Sequence, residues 1–416
     1  MTDLTALKSD ALHLVDTLSP QLISISHQIH ANPELAFEEH KSAATLADAA
    51  EAAGLAVTRA AYGQDTAFSA DFGAASGPRI GILSEYDALP GIGHACGHNI
   101  IAAIGLGTSL ALHGLGARLP GGVRYLGTPA EERGCGKELM ARHGAFDGLD
   151  AAMMLHPAGI NAKATRTMCI SEVRATFHGR SAHAAVYPEG GRNALDAATI
   201  AYIAIGQLRQ HMTNTSKVHG IMEKGGLAPN IVPDHTRLSY FIRALNAPEL
   251  DALKKRVENC FQAGALATGC ELELTWSEAD YLDMKVNLSL ADTYEAHART
   301  LGREFIPYDI LPLGGTDMSN VSHRLPVLHP LIACAPSNVM IHDPAFAKWA
   351  GSESGDQAII DGTKALVMTA LDFLGDENLR HRARSEFEAT AAQSATAIAL
   401  AFNPSGAHGA AGCGCC

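Results

Sequence analysis

No stretch of the 416-residue sequence is apolar and unbroken for long enough to cross a bilayer, which excludes an ordinary helical membrane span. Basic residues are in short supply: 31 Lys and Arg face 44 Asp and Glu, a formal charge of −13. That sign argues against a nucleic-acid backbone or an anionic membrane as partner. The opening run MTDLTALKSDALHLVD lacks the basic-then-apolar layout of a secretion signal and reads as a polar-faced helix. The nine cysteines are scattered and odd in number, so no disulfide framework is read and a reduced, cytoplasmic setting is expected. With 47% hydrophobic and 18% charged residues, what remains is a soluble globular chain. It is too long for one ordinary core, and two domains are expected.

From about residue 1 to 170, apolar β-type runs alternate with helical patterns, the reading of an α/β layer fold. Three runs, Ile80–Leu83, Val123–Gly127 and Ala151–Leu155, are short and apolar. Each is followed by ionisable residues: Glu85 and Asp87, then Glu131 and Glu132, then His156. A fourth run, Leu331–Cys334, precedes the loop of His342. Ligands in open α/β sheets bind beyond the carboxyl ends of the strands, so one site built from four strand ends is expected. Between 171 and 285 the pattern changes. A strand (Glu172–His178), a helix (Asn193–Met212), two strands (Lys217–Glu223 and Thr236–Arg243), a helix (Glu249–Ala267) and a strand (Glu271–Trp276) follow one another. That β-α-β-β-α-β order is the ferredoxin-like arrangement. Because β/α alternation resumes over 286–375, it reads as a domain inserted into an α/β domain made of 1–170 and 286–375. The remainder, 376–416, reads as a C-terminal tail, helical in character over Asp376–Leu400 and Gly/Ala-rich from Asn403, with terminal cysteines that receive no role.

The densest chemistry lies in Ser84–Asn99, a Gly/Pro-rich turn holding two carboxylates, two imidazoles and a thiol. A turn that only reverses the chain needs the glycines and the proline, not the donors. Cys96 and His98, two apart, can aim a thiolate and an imidazole at one point, a typical way to present soft ligands to zinc. Alone, that signal is weak among 20 histidines. Glu131 and Glu132 strengthen it. Consecutive side chains at a strand end point in different directions, so one can ligate a metal while the other faces a water. A hydrolytic site needs that division: a metal to acidify the water and a carboxylate to take its proton. Taken singly, Glu131 and Glu132 are an exposed acidic pair, and His156 and His342 are core or loop histidines. Together with Cys96 and His98 they suffice for one metal or two. The helix read from Asn99 to Leu112 would turn its positive end to the site and favour the thiolate form of Cys96. Cys135 reads as a small residue in a tight turn. In the middle domain His183, Asn230 and Arg243 read as a loop histidine, a turn residue and a strand-end cation.

Seven motifs occur in a telling order: DALPGIGHACGHN (Asp87–Asn99), TPAEE (Thr128–Glu132), LHP (Leu155–Pro157), GRSAHAA (Gly179–Ala185), GGLAPNIVP (Gly225–Pro233), GGTDMSNVS (Gly314–Ser322) and IHDPAF (Ile341–Phe346). Over about residues 20 to 375 the chain resembles the metallopeptidase and aminoacylase family of carboxypeptidase G, acetylornithine deacetylase, the auxin-amino-acid hydrolases and aminobenzoyl-glutamate hydrolase. The HACGHN form looks most like the last branch. The resemblance implies metal ligands Cys96, His98, Glu132, His156 and His342, with Cys96 in the bridging place that an aspartate fills in other branches. It implies Glu131 as general base. His183 would reach into the partner subunit's site and stabilise the oxyanion with help from Asn230, and Arg243 would hold a substrate carboxylate. The middle domain would serve as lid and dimerisation domain of a homodimer. The cofactor implied is a divalent metal, zinc or manganese, one or two per subunit. Two positions depart from the family pattern. Glu85-Tyr86-Asp87 stands where many members carry His-x-Asp, and Arg133 and Cys135 stand where a plainer glycine run is usual.

The reading is a metal-dependent hydrolase of C–N bonds that uses a metal-activated water on an N-acyl amino acid, a dipeptide or an aminobenzoyl-type substrate. Hydrolytic deamination of an amino-substituted aromatic acid needs the same water and is the alternative enzyme reading. A non-catalytic metal- or peptide-binding protein is the alternative from another class. Glu131 argues against it, since binding alone has no use for an unligated base.

Overall fold

The computed structural model describes residues 4–308 and 314–402, which fall into two compact units. Among the described residues, one unit takes 4–166 and Met284–Ser394, the other Thr167–Asp283 and 395–402. The sequence reading places the insertion at 171–285. The first unit begins with α1 (Leu4–Ala31), α2 (His40–Ala52), β1 (Thr58–Arg59), β2 (Phe68–Gly73), β3 (Arg79–Ser84), α3 (His98–Gly114), β4 (Gly122–Gly127), α4 (Gly136–Arg142), β5 (Ala151–Met153) and β6 (His156–Ala158). The second unit supplies β7 (Cys169–His178), α5 (Ala194–Leu208), β8 (Lys217–Lys224), β9 (His235–Ala244), α6 (Ala247–Thr268) and β10 (Glu271–Trp276). Thereafter come α7 (Leu288–Thr300), α8 (Met318–Ser322), β11 (Val327–Leu328), β12 (Leu331–Ala333), α9 (Pro344–Ala350), α10 (Glu353–Gly375), α11 (Glu377–Glu388) and α12 (Ala391–Leu400).

In the first unit six strands pair in the order β1-β2-β4-β3-β5-β11. β3 lies between β4 and β5 and runs parallel to both, with Ser84 opposite Gly127 and Ile82 opposite Met153. The chain therefore leaves all three strands at one edge of the sheet, where Glu85, the Glu131–Glu132 pair and His156 follow. α3 packs on β3 and is enclosed by α1 and α10, which is why its side chains are apolar all round. Gly105 permits the close approach, since a Cβ there would stand 2.5 Å from Leu83 O. Leu22, Ile29, Ile104, Leu106, Leu366 and Leu371 fill the space between these layers, each worth roughly 1.5–3 kcal/mol of burial.

The expectation of one strand from Ala151 to Leu155 ending at His156 is corrected. β5 stops at Met153, and the chain steps off the main sheet into β6, which pairs with β12 in a separate two-stranded ribbon, Leu331 opposite His156. Pro157 has no N–H to give to a central ladder, so this segment suits a ribbon better than the middle of a sheet. The site is thus approached from three neighbouring strands and a ribbon rather than from four strands of one sheet. The chain beyond 376 also divides. α11 packs on α7 in the first unit, where Asn287 Nδ2 donates to Ala383 O at 2.7 Å and Glu386 accepts the amide of Leu288 at 2.7 Å. The Gly/Ala-rich stretch from Asn403 lies outside the described residues.

The second unit has the β-α-β-β-α-β order expected from the sequence, its strands paired antiparallel as β10-β7-β9-β8. β7 and β9 alternate between buried and less buried positions, so one face packs through Val173, Phe177, Leu238 and Ile242 onto Ala197, Ile205 and Phe261 of α5 and α6. Asn193 and Asn246 cap the two helices with their side-chain oxygens, satisfying amides that the first turn leaves without partners. Among the described residues no helix is long and apolar enough to cross a membrane.

Candidate metal centre

Between β3 and α3 the chain makes the turn that carries Cys96 and His98. Gly97 takes φ +79° there, and a Cβ on it would stand 2.6 Å from Pro157 Cγ and 3.2 Å from the Phe346 ring. Glycine alone lets the turn lie directly on the ribbon. Cys96 Sγ comes within 3.5 Å of His156 Nε2. Asn99 anchors the first turn of α3 by donating to Ser26 Oγ at 2.9 Å and Ala350 O at 3.0 Å. Beyond β4, Ala130 at φ +61° turns the two glutamates toward the same place. Glu132 N donates to Asp87 Oδ2 at 2.9 Å, and the Glu132 carboxylate reaches 3.8 Å from His98 Nε2 and 3.4 Å from His342 Nε2. His342, also at positive φ, is tied through its amide to Ala95 O at 2.9 Å.

Three groups of donor atoms result, the members of each within 4.8 Å of one another: Cys96, His98 and His156; Cys96, Glu132 and His342; Glu85, His98 and Glu131. The five residues implied as ligands lie together in two sets that share the thiol. Glu131 belongs to neither set on Cys96. Its carboxylate stands 3.9 Å from His98 Nε2, on the side of Glu85.

Neighbours fix the ring protons. His98 Nδ1–H donates to Asp87 Oδ1 at 3.0 Å. Burial works against charge on the His98 ring, but Cys96 and Asp87 outweigh burial and push the ring well above the usual imidazole value. Without a metal it therefore keeps its second proton, and its buried Nε2 has no hydrogen-bond partner among the described residues. His156 Nδ1–H donates to Pro157 O at 2.7 Å. Burial, and then repulsion from His98, hold the His156 pKa down to about 3, so its Nε2 is a lone pair. Burial, then Glu85 and Glu132, push Glu131 well above the carboxylate range. Burial followed by Glu132 raises the Cys96 thiol. Without a metal, burial and the adjacent carboxylate therefore work against the thiolate that the start of α3 favours. A buried His98 Nε2 and a buried Glu132 Oε1, both without partners among the described residues, and the crowded acids are each costly without a cation. A divalent metal relieves all of them, so the donor set fits one.

Sequence reasoning missed the layer beneath. Lys137 is fully buried, its ammonium paired with Glu85 and with Asp317 Oδ1, the latter at 2.6 Å, while Lys137 N donates to Asp317 Oδ2 at 2.8 Å. GGTDMSNVS did carry Asp317, but without a role. Lys137 gave no signal, because a lysine in sequence reads as a solvated surface residue. Asp87, which orients both His98 and Glu132, was visible only as a member of the turn.

His183, Asn230 and Arg243 belong to the second unit. His183 and Asn230 are brought together: His183 forms a β-bridge with Ile231, and Ala184 N donates to Asn230 O at 3.0 Å. The exposed His183 ring accepts the amides of Ala185 and Val186 at Nδ1, at 3.3 and 3.2 Å, so its proton sits on Nε2 and makes that atom a donor. Arg243 is not part of this pair. It lies half-buried on β9, with Nε donating to His219 Nε2 at 3.3 Å and its guanidinium 6.0 Å from the centre of the Phe241 ring.

An α/β domain with this donor set, interrupted by a ferredoxin-like domain, defines a metal-dependent hydrolase of the two-domain kind. Residues 168–268 match the family model described as a peptidase dimerisation domain. The mouse Xaa-Arg dipeptidase is 39% identical over 402 residues, covering 93% of this chain and 93% of that protein. One of the two Escherichia coli p-aminobenzoyl-glutamate hydrolase chains is 37% identical over 280 residues, 61% of this chain and 57% of that protein. A solved structure of a Bacillus subtilis dinuclear metal binding peptidase from the M20 family has the same fold, with a TM-score of 0.65 at 20% identity over 86% of this chain and 99% of that one. The chain belongs to the M20 peptidase family, and it is a hydrolase of amide bonds.

Proposed function

We propose that the protein splits the amide bond of a dipeptide, using two divalent ions held by Cys96, His98 and His156 on one side and by Cys96, Glu132 and His342 on the other. The observation that carries this reading is the pair of donor sets sharing one thiol. Charge supports two ions rather than one. Cys96, Glu85, Asp87, Glu131, Glu132 and Asp317 share the cluster with the buried ammonium of Lys137, an acidic excess that two divalent cations nearly cancel. Thiolate and imidazole favour zinc, and the carboxylate admits manganese. When bound, such ions acidify a water and polarise the scissile carbonyl.

The chain's own residues do the rest. Glu131 takes the proton of the attacking water and passes it to the leaving nitrogen. His183 donates its Nε2–H to the oxyanion, with Asn230 beside it, and Arg243 holds the substrate carboxylate. The description of residues 168–268 as a dimerisation domain supports a homodimer in which His183 serves the partner's centre. A thiol at the heart of the donor set must stay reduced, which supports a cytoplasmic setting. A relative matched over nearly its whole length is an Xaa-Arg dipeptidase, which makes dipeptides ending in arginine the first substrates to try. The test is a screen of the metal-loaded protein on such dipeptides, on aminobenzoyl-glutamate, on N-acyl amino acids and on amino-aromatic acids. Release of a free amino acid is expected. Ammonia without an acyl product would turn the reading to deamination, and no turnover on any class would overturn it.

A further inference from the structure

The loop from Pro33 to Glu39, between α1 and α2, touches both catalytic turns. Glu34 O accepts the amide of Ala88 at 2.8 Å. Phe37 lies on Gly134, where a Cβ would meet its ring at 2.4 Å. Glu39, at the loop's end, is completely buried. Its Oε1 accepts the amide of Ala130 at 2.8 Å, and its Oε2 accepts the hydroxyl of Thr66 at 2.8 Å. Thr66 O in turn accepts the phenol of Tyr86, between Glu85 and Asp87, at 2.6 Å. Ala130 immediately precedes Glu131 and sits at φ +61°, a left-handed conformation that a residue with a Cβ adopts only where its surroundings enforce it. Two hydrogen bonds enforce it here: Glu39 holds the Ala130 amide, and Gly136 N holds its carbonyl at 3.1 Å.

We infer that Glu39 is a positioning residue for hydrolysis. It fixes the Ala130 peptide so that Glu131 faces the attacking water and Glu132 faces the shared donor set, and it touches neither substrate nor metal. Packing alone does not account for it. A buried acid with no cationic partner among the described residues is costly, and an apolar side chain of similar volume would fill the space at lower cost. The inference rests on Glu131 being the base.

Glu39→Ala is expected to lower kcat by about 10²-fold, the cost of a small misplacement of a catalytic group, while KM and bound metal stay at wild-type values. Glu39→Gln keeps an acceptor for the Ala130 amide and is expected to retain most of the rate. Ala130→Gly, which needs no support at positive φ, is expected to restore part of the rate when added to Glu39→Ala. An unchanged kcat in Glu39→Ala, metal lost together with the rate, or no recovery from either companion substitution overturns the inference. If Glu39→Ala does not accumulate as folded protein, Glu39→Asp, one methylene too short to reach Ala130, is expected to show the same fall in kcat; full activity there overturns the inference. Glu131→Gln assayed alongside separates the two claims. Turnover in that variant removes the base assignment, whereas an inactive Glu131→Gln beside a fully active Glu39→Ala removes Glu39 alone.

Discussion

In the first unit Glu85, Asp87, Cys96 and His98 are shut away from water, and His98 Nε2 has no hydrogen-bond partner among the described residues. In the second unit His183 and Asn230 are exposed, and the loop's own amides fix the His183 ring through Nδ1. The difference follows from what each group has to hold. Buried acids and lone pairs bind a cation strongly because no solvent competes, and they lie in wait at a cost that only the cation removes. A group that meets a substrate must be reachable, so its orientation has to come from local hydrogen bonds rather than from burial. Changes to the donors of the first unit should therefore alter metal content, and changes in the second should alter rate alone.

The largest effect is expected from Cys96→Ser, which removes the donor common to both sets. Metal and activity should both be lost, as measured by metal analysis after dialysis alongside a turnover assay. Because burial and Glu132 raise the Cys96 thiol, binding has to displace its proton, so metal retention should strengthen as pH rises and weaken as it falls. A Cys96→Ser protein that keeps its metal, or a wild type fully active after exhaustive chelation, would remove the contrast between the units.

Glu131→Gln comes next. It should lower kcat by ~10²–10⁴, the usual worth of a general base, with metal content near wild type. Glu132→Gln should instead lose metal. Should the metal follow Glu131 and turnover survive in Glu132→Gln, the two glutamates exchange roles.

His183→Ala tests the other side of the comparison. With its Nε2 donor gone the rate should fall by ~10²–10³ while metal content is untouched. Mixing this variant with Glu131→Gln should restore activity if His183 serves a neighbouring subunit, because some mixed dimers then hold one intact composite site. Subunits that demonstrably exchange without regaining activity would confine His183 to its own chain or remove it from the reaction altogether.

What the sequence revealed of this site, and what it hid, follows from distance along the chain. Cys96, His98 and the Glu131–Glu132 pair stand out because their side chains are unusual for the turns they occupy. The strand and helix order of the second unit was legible because β7 and β9 keep a clean period of two. Support for the donors was not legible: Glu39 and Ala130 are 91 residues apart, and Lys137 and Asp317 are 180 apart. No local pattern announces such a pairing. The break between β5 and β6 escaped for a different reason, because an apolar run looks continuous whether or not the chain changes sheets within it.

The smallest expected effect bears on whether burial in the first unit raises acids generally or only those beside the metal. Glu39 is pushed up from 4.5 to about 7, by burial first and by the neighbouring Asp87 second. An acid with a higher pKa in the folded than in the unfolded chain binds its proton more tightly when folded. Its contribution to stability is therefore fully present below about pH 4.5 and is lost as pH rises through about 7. Glu39→Gln has no such proton to lose, and comparing it with wild type at each pH cancels the other ionisations. The variant's unfolding free energy minus that of wild type, measured by denaturant titration on metal-free protein, should rise across that window and level off above it. At 1.36 kcal/mol per pKa unit the rise is on the order of 3 kcal/mol at most. A difference that stays flat would mean that Glu39 is charged throughout, leaving the raised acids of this unit a property of the donor cluster alone. A rise would show that burial also raises an acid that lies outside the donor sets, one that a bound cation would not touch.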